Sequence, residues 1–144
     1  MIKPFEYYLK ENLVRKSSPN ISMAKSLLEK ARIRLARTKN ETIDEDNSSI
    51  IFEDIYESLR EATQSFMELK GYKPYSHEAL ISFLKEGTYL DEGCVHTLDH
   101  YRILRNNSVY KAEHVSKEKC TEALHFARKK IPEIKKMFER LTKG

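Results

Sequence analysis

Seven apolar residues near the C-terminus constrain this chain more than anything else in it: Cys120, Leu124, Ala127, Ile131, Ile134, Phe138 and Leu141. Their separations alternate between four and three positions, the stripe of a helix that packs along its length against other helices. Ser116 stands before the stripe as a cap. Pro132 falls inside it, where a missing N–H is expected to bend the helix. Only four Gly and four Pro occur in 144 residues, too few for the turns of a many-stranded protein.

The remaining segments repeat the helical pattern. Residues 1–19 are predicted to form a short N-terminal helix and a linker that ends in Ser-Ser-Pro-Asn. Asn20 then caps a helix from about Ile21 to Lys39, with Met23, Leu27, Ala31 and Leu35 on one face and Ala24 and Leu28 beside them. The acidic stretch "NETIDEDNSS" reads as a loop. A long helix follows from about Ser49 to Lys70, with Phe52, Ile55, Leu59, Ala62, Phe66 and Leu69 facing inward. Gly71 suits its left-handed end. Ser76 caps a short helix from about His77 to Lys85, and another runs from about Asp91 to Asn106. "NNSVYKAEHV" lacks a helical period and is predicted to be a linker. No strand is predicted. The fold class is all-α: an up-and-down bundle of about four main helices plus short ones, with residues 20–144 as its body and one domain overall.

Charge is distributed in blocks. Met1 to Lys39 holds ten Lys or Arg against three Glu, Asn40 to Glu57 holds seven acids and no base, and Arg128 to Lys143 holds seven bases against two acids. Such blocks suit solvated helix faces, or a surface for a phosphate backbone. No apolar run approaches the ~18 residues of a membrane span, and no signal-peptide core opens the chain. Cys94 and Cys120 have neither metal nor disulfide-framework spacing and read as reduced core thiols, which places the protein in the cytoplasm. His96 and His100 share a helix face but lack a third ligand, so no metal site and no cofactor are called. His77 follows a cap and is assigned a local hydrogen-bonding role.

The stretch "RILRNNSVY" differs in kind. Arg102 and Arg105 share a helix face, and Asn106 and Asn107 follow at its predicted end. An arginine there can simply meet the helix dipole. It can equally clamp a phosphate, with asparagine positioning a hydroxyl.

Three stretches together, "AKSLLEKARIRLART", "FEDIYESLREATQSFMELKGYKPYSHEALISFL" and "LDHYRILRNNSVYKAEHVSKEKCTEALHFARKKI", resemble a HEPN domain of the small prokaryotic and archaeal kind often paired with a minimal nucleotidyltransferase. The resemblance implies a helical bundle that dimerises. In active members an Arg, a polar residue, and a His five positions after the Arg form a metal-independent endoribonuclease site. Carried over residue by residue, these are Arg105, Asn106 and, at the histidine position, Tyr110. Tyrosine with a pKa near 10 is a poor base at neutral pH, where a histidine near 6.5 serves as acid or base. His114 lies nine positions after Arg105 and would substitute only if the linker folds back.

The expectation is therefore an RNA- or nucleotide-binding homodimer with weak or absent ribonuclease activity. Arg105 would hold phosphate, Asn106 would orient sugar or phosphate, and Tyr110 would hydrogen-bond or stack. Arg102 would join them, and Tyr56, Arg60 and Glu61 of the long helix would line the same cleft. Two alternatives stay open: an endoribonuclease toxin of a toxin–antitoxin pair, and an interaction module that regulates a nucleotidyltransferase partner.

Overall fold

A computed structural model describes residues 1–143. These residues are 75% helical and form an all-α bundle with six helices and one small sheet. In order these are α1 (Phe5–Lys10), β1 (Val14–Lys16), α2 (Ile21–Ala36), a 3-10 turn (Arg37–Asn40), α3 (Ser48–Lys70), β2 (Tyr72–Pro74), α4 (His77–Gly87), α5 (Glu92–Lys111) and α6 (Lys117–Lys143).

Helix α3 is the axis of the molecule. Phe52, Ile55, Leu59, Ala62 and Phe66 are fully buried, as the periodicity predicts, and Tyr56, Glu61 and Met67 on its other sides are buried too. A helix apolar on one face only would leave those sides in water. Here neighbours cover nearly all of it, and two of its buried hydroxyls are satisfied within the helix itself. Ser58 donates to Ile55 O (2.7 Å), and Thr63 donates to Leu59 O (2.9 Å). Among the described residues no buried side-chain donor or acceptor lacks a partner. Burial of each large side chain contributes about 1.5–3 kcal/mol.

Contacts at the helix ends set the directions. Asn20 N donates to Glu68 O at the far end of α3, so α2 runs antiparallel to it. Ser108 near the end of α5 donates to Glu53 near the start of α3, and Tyr89 before α5 stacks on Phe66, so α5 is antiparallel as well. Ser48 donates to Val115 O just before α6, which places the starts of α3 and α6 together. The up-and-down order is thus α2, α3, α5, α6.

The structure departs from the sequence expectations in several places. The inward face of α2 is Ala24, Leu28 and Ala31, while Met23 is exposed. Small alanines allow close approach to α3, and that contact sets the rotation of α2. Leu141 lies at the end of its stripe and is exposed. Helix α6 runs through Pro132 as one helix.

The predicted linker in residues 1–19 contains β1, which pairs antiparallel with β2 through Val14–Pro74 and Lys16–Tyr72. Three-residue strands show no readable alternation, and these two meet only because Gly71 turns α3 back. Gly71 adopts φ 81°, and its carbonyl accepts from Ser17 N at 2.6 Å.

The predicted linker "NNSVYKAEHV" is largely helix. Helix α5 continues through Asn106, Asn107 and Tyr110 to Lys111 and ends at left-handed Ala112. Asparagine is a weak helix former. The half-buried Ser108–Glu53 hydrogen bond (2.8 Å) holds the last turns against α3 and overrides that preference.

Candidate functional site

Helix α4 begins where α3 and α5 face each other, and its first residues meet their polar side chains. The Ser76 hydroxyl caps α4 by accepting from Ala79 N (3.4 Å), which presents His77 and Glu78 in the first turn. His77 does not serve that turn. Its ring stacks on Tyr56 of α3, with centroids 5.7 Å apart and planes 24° apart, and its Nδ1 lies 3.0 Å from the Tyr56 hydroxyl.

Burial and the positive charges around this pair fix its protonation. Burial pushes the Tyr56 phenol well above its ordinary value, against the opposing pull of Arg102, Arg105 and Arg60. Burial pushes His77 down to about 4, reinforced by the charges of Arg105 and Arg60 and opposed by Glu57. At neutral pH the phenol keeps its proton and the imidazole is neutral. The Tyr56 hydroxyl has no other acceptor among the described residues, so the arrangement that satisfies it has O–H donating to Nδ1 and leaves the ring proton on Nε2 as a donor.

The arginines divide by their partners. Arg102 is buried, donates to Asp99 (2.7 Å) and approaches Glu78 at 3.6 Å, so it ties α5 to α4 and turns away from solvent. Arg60 binds Glu57 and Gln64 on its own helix. Burial disfavours the Glu57 carboxylate, but the Arg60 hydrogen bond and the charges of Arg60 and Arg34 outweigh it and hold the carboxyl below its usual range. Arg105 differs. Its Nη1 donates to the Asn106 side chain (3.2 Å), and its guanidinium lies 5.8 Å from the centroid of the exposed Tyr110 ring. Among the described residues it has no carboxylate partner.

Arg105, Asn106 and Tyr110 are therefore together, as the motif implies, but on one helix rather than across a helix end. Tyr56 and Arg60 border the same region. Glu61 does not. It is buried on the opposite side of α3, where it accepts from Arg34 (2.9 and 3.2 Å) and Lys30 reaches it at 3.4 Å. His114 stands 3.5 Å from Glu45 beside the acidic loop. His77 has the hydrogen-bonding role expected of it, but with Tyr56, 21 positions away, rather than with a local group. Only the packing of α4 on α3 brings it to Tyr56, and no local spacing records that contact.

Other chemistry finds little support. Burial pushes both Cys94 and Cys120 thiols up to about 11, so neither is an activated nucleophile. No group of three metal-ligating side chains occurs among the described residues. Among those residues no helix is long and apolar enough to cross a membrane. No family model, curated protein or solved structure matches this chain.

Proposed function

We propose that this protein is a HEPN-like binder of phosphate-bearing ligands, RNA or nucleotides, with weak or absent ribonuclease activity. The observation that carries the reading is Arg105, a guanidinium without a carboxylate partner beside a neutral His77. Every free group there donates: the Arg105 fork, the His77 Nε2–H and the Tyr110 hydroxyl. Phosphate oxygens are the complementary acceptors. His77, pushed down to about 4, and Tyr56, pushed well above its ordinary value, are both poorly matched to proton transfer to and from a ribose hydroxyl at neutral pH.

The proposal includes a cytoplasmic homodimer. Ile103, Val109 and Tyr110 of α5 are exposed, and Tyr110 lies against Arg105, apolar surface that a second copy would cover.

Fluorescence anisotropy of a labelled single-stranded RNA, in EDTA, tests this reading. Binding should fall with rising salt and weaken about tenfold or more in Arg105→Ala, the loss of one charge-assisted contact. The RNA should remain intact. Cleavage that disappears in Arg105→Ala would replace this reading with the endoribonuclease. Absence of binding to any phosphate ligand, with a nucleotidyltransferase co-purifying, would replace it with the partner module.

A further inference from the structure

A small cavity lies beside His77. It holds about 130 Å³ and is bordered by Arg60, Gln64, Pro74, Tyr75, Ser76 and His77. That is below the ~300–1,000 Å³ of a drug-sized site and has room for one planar ring system. We propose that this cavity is a nucleobase subsite, with Tyr75 as its stacking face and the Gln64 amide as the group that reads the base edge. The ligand of the neighbouring phosphate site is then a nucleoside phosphate with an unpaired base. This inference rests on the phosphate reading above.

Tyr75 is the first reason. Its side chain is 63% exposed, yet its backbone is fixed on both sides. Tyr75 N donates to Leu13 O (2.8 Å), Pro74 before it pairs with Val14, and Ser76 after it caps α4. An exposed aromatic on a rigid mount offers stacking area with little left to order on binding. Stacking on such a ring needs a base free of its own pairing partner.

Gln64 is the second. Its Oε1 accepts from Arg60 Nη1, and because a guanidinium only donates, this contact fixes which end of the amide faces the arginine. The NH2 end has no hydrogen-bond partner among the described residues. It can donate to a ring nitrogen or carbonyl of a base.

His77 is the third. It borders the cavity and also lies within the field of Arg105, so base and phosphate would occupy adjacent positions as they do in one nucleotide.

The test measures the affinity of the full chain for AMP, a single-stranded oligoadenylate, its abasic counterpart and inorganic tripolyphosphate. Wild type is compared with Tyr75→Ala, Tyr75→Phe and Arg105→Ala, with circular dichroism to show that each is folded. The expected result is that Tyr75→Ala weakens the base-bearing probes about tenfold or more and leaves tripolyphosphate unchanged, while Tyr75→Phe retains affinity. Comparable affinity for AMP and the oligoadenylate identifies a free nucleotide as the source, and preference for the oligoadenylate identifies a single strand. Either supports the subsite. If base-free probes bind as tightly as the others and Tyr75→Ala changes nothing, the subsite is wrong and the phosphate site stands. If Arg105→Ala alters no probe, the phosphate site fails and the subsite with it.

Discussion

Tyr56 on α3 and His77 in the first turn of α4 hold each other by a ring stack at 5.7 Å and a 3.0 Å contact between hydroxyl and Nδ1. The pair is half of the candidate site and also a joint between two helices. Its chemistry is set by burial and by arginines from α3 and α5, so it reports on whether the bundle is assembled.

His77 should therefore titrate near 4 in the folded protein rather than near 6.5. As pH falls through this window the unfolded chain takes up the proton first, so stability declines from about pH 6.5 to about pH 4. Histidine-resolved NMR gives the pKa directly. Denaturant titrations across the window should show the decline in wild type and a flatter dependence in His77→Gln. A His77 that protonates at its ordinary value would contradict the burial.

Glu61 is buried and its carboxylate accepts from Arg34 through both oxygens. The Arg34 side chain is 23% exposed, so water can solvate it once its partner is gone. Glu61→Gln should cost about 1.5–3 kcal/mol, the range for hydrogen bonds to charged groups. Urea unfolding measures this, and RNA binding should not change because Glu61 faces away from Arg105.

Gly71→Ala should destabilise by more than about 1 kcal/mol, since φ is 81° and an added Cβ would strike the Ser17 carbonyl. The loss would fall on the joint between β1 and β2, which mounts Tyr75. Thermal melting gives the cost, and base-bearing ligands should lose affinity along with it.

Ser108→Ala removes the tie between α5 and Glu53 and should cost about 1 kcal/mol. Hydrogen exchange should quicken in the last turn of α5, around Tyr110, before it changes elsewhere. Uniform exchange across α5 would mean that the asparagines do not need this tie.

The sequence by itself determined the helices, because their apolar spacing is a local property. The stripe from Cys120 to Phe138, the buried face from Phe52 to Phe66, the Asn20 and Ser76 caps and the Gly71 turn all follow from neighbours a few residues apart. It also placed Arg105, Asn106 and Tyr110 near one another, since they lie within six consecutive residues.

Only the tertiary structure decided the rest. The continuation of α5 past two asparagines depends on Glu53, 55 positions away. The short sheet depends on residues 56 to 60 positions apart for its three paired positions, as in Lys16 and Tyr72 or Val14 and Pro74. The neutral state of His77 depends on burial under neighbouring helices and on guanidinium groups from α5 and α3. Glu61 and Tyr56 share a helix yet face different neighbours, and nothing in their spacing says which side meets Arg34. Hydrophobic periodicity reports which residues leave water. It carries no information on which buried polar groups meet, because those partners come from other helices and are chosen when the bundle closes.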